Sequence, residues 1–86
     1  MRYRKKPIIV DAEQWLGPQS CPMRGVYVST EGVSYFCVTA QRESVPINWG
    51  DWIILEAKQD GGHTVLAYPC APDVFAATYE PTDAPH

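Results

Sequence analysis

The side chains that could perform acid–base catalysis are few and widely separated along the chain. His63 follows a glycine-rich stretch that begins at Asp60, while Asp51 follows a glycine and Asp73 follows a proline. A general base needs an orienting carboxylate and a nucleophile within hydrogen-bond reach, and no spacing in the chain indicates such a set. We therefore predict a protein that is not an enzyme, with no catalytic residues and with His63 exposed beside a turn.

The three cysteines do not form a metal-ligand pattern either. Cys21, Cys37 and Cys70 are far apart, whereas a zinc site is typically built from pairs such as Cys-x-x-Cys. An odd number of cysteines without a secretion signal argues against a disulfide framework. We predict buried or half-buried free thiols, no metal and no cofactor.

Asp51 and Asp73 have the sequence context of structural residues. Asp51 follows Gly50, and an aspartate in a tight turn accepts hydrogen bonds from backbone N–H groups. Asp73 follows Pro72, which suits the first position of a helix, where the helix dipole stabilises a negative charge. The sequence predicts a turn at Gly50 and Asp51, and a short helix started by Pro72 and capped by Asp73.

Basic and aromatic residues are the stronger candidates for a binding surface. Four of the seven basic residues lie within the first six positions, either as the charged start of an edge strand or as a patch for phosphate or an acidic partner. Exposed Trp and Tyr side chains anchor interfaces and stack on bases, or they close the ends of a small barrel. The candidate binding residues are Arg4, Lys5, Lys6, Trp15, Trp49, Trp52 and Tyr68.

Two of these candidates flank the central turn. Trp49 precedes Gly50 and Trp52 follows Asp51, so both indole rings cannot easily fill the core. We expect Trp49 to be partly exposed. A net charge of −3 argues against general nucleic-acid binding.

The hydrophobic pattern predicts one β-rich domain over residues 1–80 and a flexible polar tail over residues 81–86. Period-two alternation and turn residues place the secondary structure. Strands are predicted at 6–15, 26–30, 33–39, 44–47, 52–55 and 63–68, a short helix at 73–77, and a last short strand at 77–79. The turn that joins 26–30 to 33–39 is expected to have two residues, and 33–39, which is apolar on both faces, is expected to be a central strand.

This arrangement indicates a small antiparallel β-barrel or rolled sheet with one short C-terminal helix. Pro46 places the strand at 44–47 on a sheet edge. The loop at 16–25 is long for so small a domain and is a candidate binding loop. The apolar run at 8–10 is too short for a signal peptide or a membrane span, which predicts a soluble intracellular protein.

Three stretches of the chain resemble a family of short bacteriophage and prophage proteins. They are residues 1–15 (MRYRKKPIIVDAEQW), 50–54 (GDWII) and 68–80 (YPCAPDVFAATYE). The group is the PGDYG family, named for a Pro-Gly-Asp-Tyr-Gly turn, in which Trp49, Trp52 and Ile53 replace the proline, the tyrosine and the last glycine. The resemblance implies phage or prophage origin, a location in the host cytoplasm, no settled activity and no catalytic residues.

The expected function is therefore that of a small phage accessory protein that binds a host protein, for instance as an inhibitor of host defence. Two alternatives stay open. One is a nucleotide- or anion-binding protein that uses the basic N-terminus and the aromatic side chains, and the other is a virion or assembly component. A homodimer could form by strand addition at 44–47 or at the N-terminal strand.

Overall fold

The computed structural model describes residues 10–32 and 34–80, which form two three-stranded antiparallel sheets and one short helix. In chain order the strands are β1 (Ala12–Gln14), β2 (Tyr27–Val28), β3 (Tyr35–Val38), β4 (Ser44–Pro46), β5 (Trp52–Leu55) and β6 (Ala67–Cys70), followed by helix α1 (Pro72–Thr78). The first sheet has the order β1-β5-β6 and the second the order β2-β3-β4. The predicted β-rich fold with one short C-terminal helix is confirmed.

The central strand of each sheet is apolar on both faces. In β5, Ile53 faces the second sheet and Ile54 faces the opposite side, and both side chains are fully buried. In β3, Cys37 lies in the core while Phe36, on the other face, stacks on Tyr27. The prediction of a central strand at 33–39 is confirmed for the residues of β3.

The core lies between the two sheets. It consists of the buried side chains Trp15, Met23, Cys37, Ile53 and Ala67, with Val26, Tyr35, Ile47 and Leu55 packed around them. A parallel bridge between Val38 and Leu66 also joins the sheets. Residues 10–32 and 34–80 form no closed barrel.

Both strand prolines occupy positions where a missing N–H costs nothing. Backbone groups of successive residues in an antiparallel pair point alternately toward and away from the partner strand. Ile47 N donates to Tyr35 O at 3.0 Å, so the nitrogen of Pro46 points away from β3. Glu56 N donates to Leu66 O at 3.0 Å, and the same alternation turns the nitrogen of Pro69 away from β5.

The position of Pro69 explains one wrong prediction. The strand expected at 63–68 is found at Ala67–Cys70, because an edge strand tolerates proline where its nitrogen faces outward. His63 lies in the exposed loop before it. The strand expected at 77–79 is also wrong, since α1 continues to Thr78 and Tyr79 N donates to Phe75 O at 2.8 Å.

The predicted hairpin is present, but its turn is longer than two residues. Ser29 N donates to Ser34 O at 2.8 Å, and Gly32 N donates to Ser29 O at 2.9 Å within the loop. The edge position of the strand at 44–47 is confirmed within 10–32 and 34–80, where β4 pairs with β3 alone. Within the described residues, no helix is both long and apolar enough to cross a membrane.

Some predictions concern residues outside the described part of the chain. These are the basic segment with Arg4, Lys5 and Lys6, the start of the first strand, Val33, and the tail at 81–86.

Candidate binding surface

The turn at Asn48–Asp51 is closed by its own backbone and by one buried carboxylate. Asp51 N donates to Asn48 O at 3.0 Å, and Asp51 Oδ2 accepts from Asn48 N at 2.9 Å. Gly50 occupies a φ of +95°, which an L side chain rarely adopts. Asp51 is 7% exposed, so its carboxylate serves as a turn acceptor and is not presented to solvent.

The same turn is held against β1. Gly50 N donates to Trp15 O at 2.8 Å, and Trp15 N donates to Asp51 O at 2.7 Å. Gln14 Nε2 adds a bond to Gly50 O at 3.0 Å. These bonds hold the backbone at Gly50, which directly follows Trp49, and at Asp51. They therefore keep the turn in one conformation.

Trp49 projects from this rigid turn and is 67% exposed. Its six-membered ring lies over Gly17, in the space that a β-carbon at position 17 would need. Gly17 has a φ of +93° and is itself buried. The indole ring is therefore positioned by contact with the backbone although most of its surface faces solvent.

Two other exposed apolar residues lie next to Gly17, which the Trp49 ring covers, and Gly50, which follows Trp49 in the chain. Leu16 directly precedes Gly17 and is exposed. Pro72, also exposed, lies within 3.9 Å of the position of a β-carbon on Gly50, which places the start of α1 beside the turn. We call Leu16, Gly17, Trp49 and Pro72 the Trp49 surface. The sequence indicated Trp49 and the loop at 16–25 as separate candidates, but nothing in it distinguished Gly17 from the other residues of that loop.

The other aromatic candidates are packed within the fold. Trp15 is 3% exposed and lies against Tyr35, with ring centroids 4.7 Å apart. Trp52 stacks on Phe75 of α1 at 4.3 Å with 5° between the ring planes, and Phe75 stacks on Tyr79 at 5.0 Å. The structure thus separates the role of Trp49 from those of Trp15 and Trp52.

Tyr68 also belongs to the contact between α1 and the first sheet. Its hydroxyl lies 3.3 Å from that of Tyr79, and burial together with this hydrogen bond raises the pKa of Tyr68. Asp73 lies in the first turn of α1, but the N-cap position is Ala71 and no side chain caps the helix there. The prediction that Asp73 caps the helix is therefore wrong. From its position in the first turn, its negative charge interacts with the helix dipole instead.

The three cysteines are free and have different environments. Cys37 is fully buried, and burial, reinforced by the nearby Asp51 carboxylate, raises its pKa to about 12. Cys70 is half-buried, and its pKa is also raised, first by burial and then by Asp51 and Asp73. Cys21 is exposed, contrary to the expectation of buried or half-buried thiols.

Over the full chain, ten Asp and Glu residues stand against seven Lys and Arg, which gives a net charge of −3. Arg24, Arg42 and Lys58 are the Lys and Arg residues of 10–32 and 34–80, against nine Asp and Glu. Arg42 is paired with Asp60 at 2.7 Å. In the same ranges, no group of three or more His, Cys, Asp or Glu side chains is arranged to hold a metal ion.

No model of a known protein family, no curated protein and no solved structure matches the chain.

Proposed function

We propose that this chain is a non-catalytic module that binds a protein partner through the Trp49 surface. The observation that carries the proposal is the indole ring of Trp49, which is 67% exposed and yet seated on Gly17. An aromatic side chain that is already positioned loses little conformational freedom on binding, and tryptophan is enriched among residues that dominate interface energetics. A rolled arrangement of the two sheets, supported by the Val38–Leu66 bridge, serves as the scaffold.

The charge balance indicates the chemistry of the partner. With ten acidic residues against seven basic ones, the chain has a net charge of −3, which favours a partner with basic groups. The proposed partner surface is an apolar pocket for the indole ring with a basic rim. Following the resemblance to phage and prophage proteins, we propose a bacterial host protein as the partner, for instance one that acts in defence.

The test is capture of proteins from a bacterial lysate by the tagged chain and by two variants. Trp49→Ala removes the proposed anchor, and Val74→Ala is the matched control because Val74 is an exposed apolar residue of α1 outside the Trp49 surface. Loss of a hot-spot residue costs at least about 2 kcal/mol of binding, so recovery of a true partner at limiting concentration should fall by about tenfold or more with Trp49→Ala.

The control defines the outcome that overturns the proposal. A partner recovered by wild type and by Val74→Ala, but lost with Trp49→Ala, supports binding through the Trp49 surface. Equal recovery by all three proteins means that any binding surface lies elsewhere. Far-UV circular dichroism of each variant verifies that the loss does not come from unfolding.

A further inference from the structure

An open cleft lies between the loop at 16–25 and the hairpin of β2 and β3. Its volume is about 400 Å³, within the range of small-molecule sites. Its lining residues are Cys21, Pro22, Met23, Val26, Val28 and Tyr35. No lining side chain is an acid or a strong base, and Met23 also belongs to the core. Val28 is 51% exposed, so this apolar lining is accessible from solvent.

Arg24 lies in a turn that borders this cleft, next to lining residues but not among them. Val26 N donates to Met23 O at 3.1 Å, which closes a turn whose first and last residues both line the cleft. Arg24 is the second residue of that turn and is exposed, and Gly25 follows with a φ of +89°. Throughout 10–32 and 34–80, the one salt bridge joins Arg42 to Asp60, so Arg24 has no acidic partner there.

We infer that this cleft binds a small amphipathic carboxylate, with its apolar tail against Met23, Val26 and Val28 and its carboxylate paired with Arg24. The apolar lining excludes a charged group from the interior, because an ion loses its hydration there without a compensating partner. A carboxylate at the rim keeps its contact with water and gains a charge-assisted hydrogen bond from the guanidinium. The site shares no residue with the Trp49 surface, and the inference does not depend on the proposed protein partner.

The experiment titrates the protein with octanoate and, in parallel, with octanamide, which has the same chain but no charge. The methyl group of Met23 is the reporter, observed by NMR in protein labelled at its two methionines, Met1 and Met23. We expect a saturable shift of the Met23 signal with both compounds. Octanoate should bind about two- to fivefold more tightly, the range of an exposed ion pair.

Two charge variants locate the carboxylate. Arg24→Ala should weaken the binding of octanoate by about two- to fivefold and leave the affinity for octanamide unchanged. Lys58→Ala removes the same charge from the loop after β5 and should change neither affinity. Val28→Asn, at an exposed position, should weaken both compounds because it places an amide in the apolar lining.

Three other results would each contradict a specific part of the inference. Absence of a saturable Met23 shift with either compound would exclude the site. Equal affinities for octanoate and octanamide, unaffected by Arg24→Ala, would exclude the carboxylate class. Equal losses of octanoate affinity in Arg24→Ala and Lys58→Ala would assign the charge effect to the whole protein and remove Arg24 from the site.

Discussion

The indole ring of Trp49 occupies the space above Gly17 that a β-carbon would need. These two residues are far apart in sequence, and the hydrogen bonds of Trp15 with Gly50 and Asp51 bring their segments together. The absence of a side chain at position 17 therefore has two effects. It permits the backbone φ of +93°, and it makes room for an exposed aromatic ring.

Gly17→Ala should destabilise the protein by about 1–3 kcal/mol. The substitution forces a residue with a β-carbon into a strained φ and displaces the Trp49 ring. Urea denaturation, with the free energy of unfolding extrapolated to water, measures the loss. Trp49→Ala removes the steric part, so the loss in Gly17→Ala/Trp49→Ala should be smaller than the sum of the single losses. Additive losses would show that the ring and the β-carbon do not compete for the same space.

Replacing Trp15 and replacing Trp49 should lower the free energy of unfolding by very different amounts. Trp15 is 3% exposed in the core, so Trp15→Ala should lower the free energy of unfolding by about 3–5 kcal/mol. Trp49→Ala should lower it by about 1 kcal/mol or less, since most of the ring faces solvent. Thermal and urea unfolding compare the variants directly. Similar losses for both would contradict the described burial of the two rings.

Asp51→Ala should destabilise the central turn by about 1–3 kcal/mol. The variant leaves the N–H of Asn48 without its acceptor in a part-buried site. Asp51→Asn keeps a carbonyl oxygen at the same place and should recover part of the loss. Asp73→Ala is the control, because Asp73 is exposed and its side chain caps no backbone group. We expect the unfolding midpoint to rise from Asp51→Ala through Asp51→Asn to wild type. Equal midpoints would show that the Asp51 side chain does not stabilise the turn.

Stability should fall as the pH rises above 9. An unburied cysteine thiol has a pKa of 9.0, whereas that of Cys37 in the folded protein is raised to about 12 by burial and by Asp51. Below pH 9 both states keep the proton, and between 9 and 12 the unfolded state releases it first, so the stabilisation is progressively lost. Unfolding midpoints measured from pH 8 to 11 test this slope.

The contribution of Cys37 is isolated by comparison with Cys37→Ala. That variant should be less stable at every pH, because it loses buried volume, but its midpoint should fall less steeply above pH 9. Cys70 and Tyr68, whose pKa values are also raised, act in the same direction and remain in both proteins. Parallel slopes for wild type and variant would contradict the assignment to Cys37.

Phe75→Ala should release α1 from the first sheet. The helix has no buried residue, and Phe75 holds it by stacking between Trp52 and Tyr79. We expect a loss of about 1–3 kcal/mol and a shift of Trp52 fluorescence toward longer wavelength as the indole ring becomes hydrated. Val74→Ala, at an exposed site on the same helix, should leave both unchanged. An unchanged spectrum in Phe75→Ala would show that α1 does not depend on this stack.

Local features of the fold could be predicted because they depend on residues close in sequence. The apolar segments of β3 and β5, the turn at Gly50 and Asp51, and the helix start at Pro72 all have this local origin. Predictions were wrong where a distant partner decided the result. The strand around Pro69 is an example, since proline is acceptable there only because β6 pairs with β5 on one side and turns its nitrogen outward.

The candidate site shows the same division. The sequence by itself determined a β-rich fold, a Gly-Asp turn and an aromatic residue beside that turn. It could do so because side-chain periodicity and backbone preference are properties of short segments. Only the tertiary structure decided that Trp15 and Trp52 are packed while Trp49 is exposed, and that its ring rests on Gly17. Burial depends on which surfaces the sheets and the helix cover after they assemble, and chemically similar tryptophans carry no local mark of that outcome.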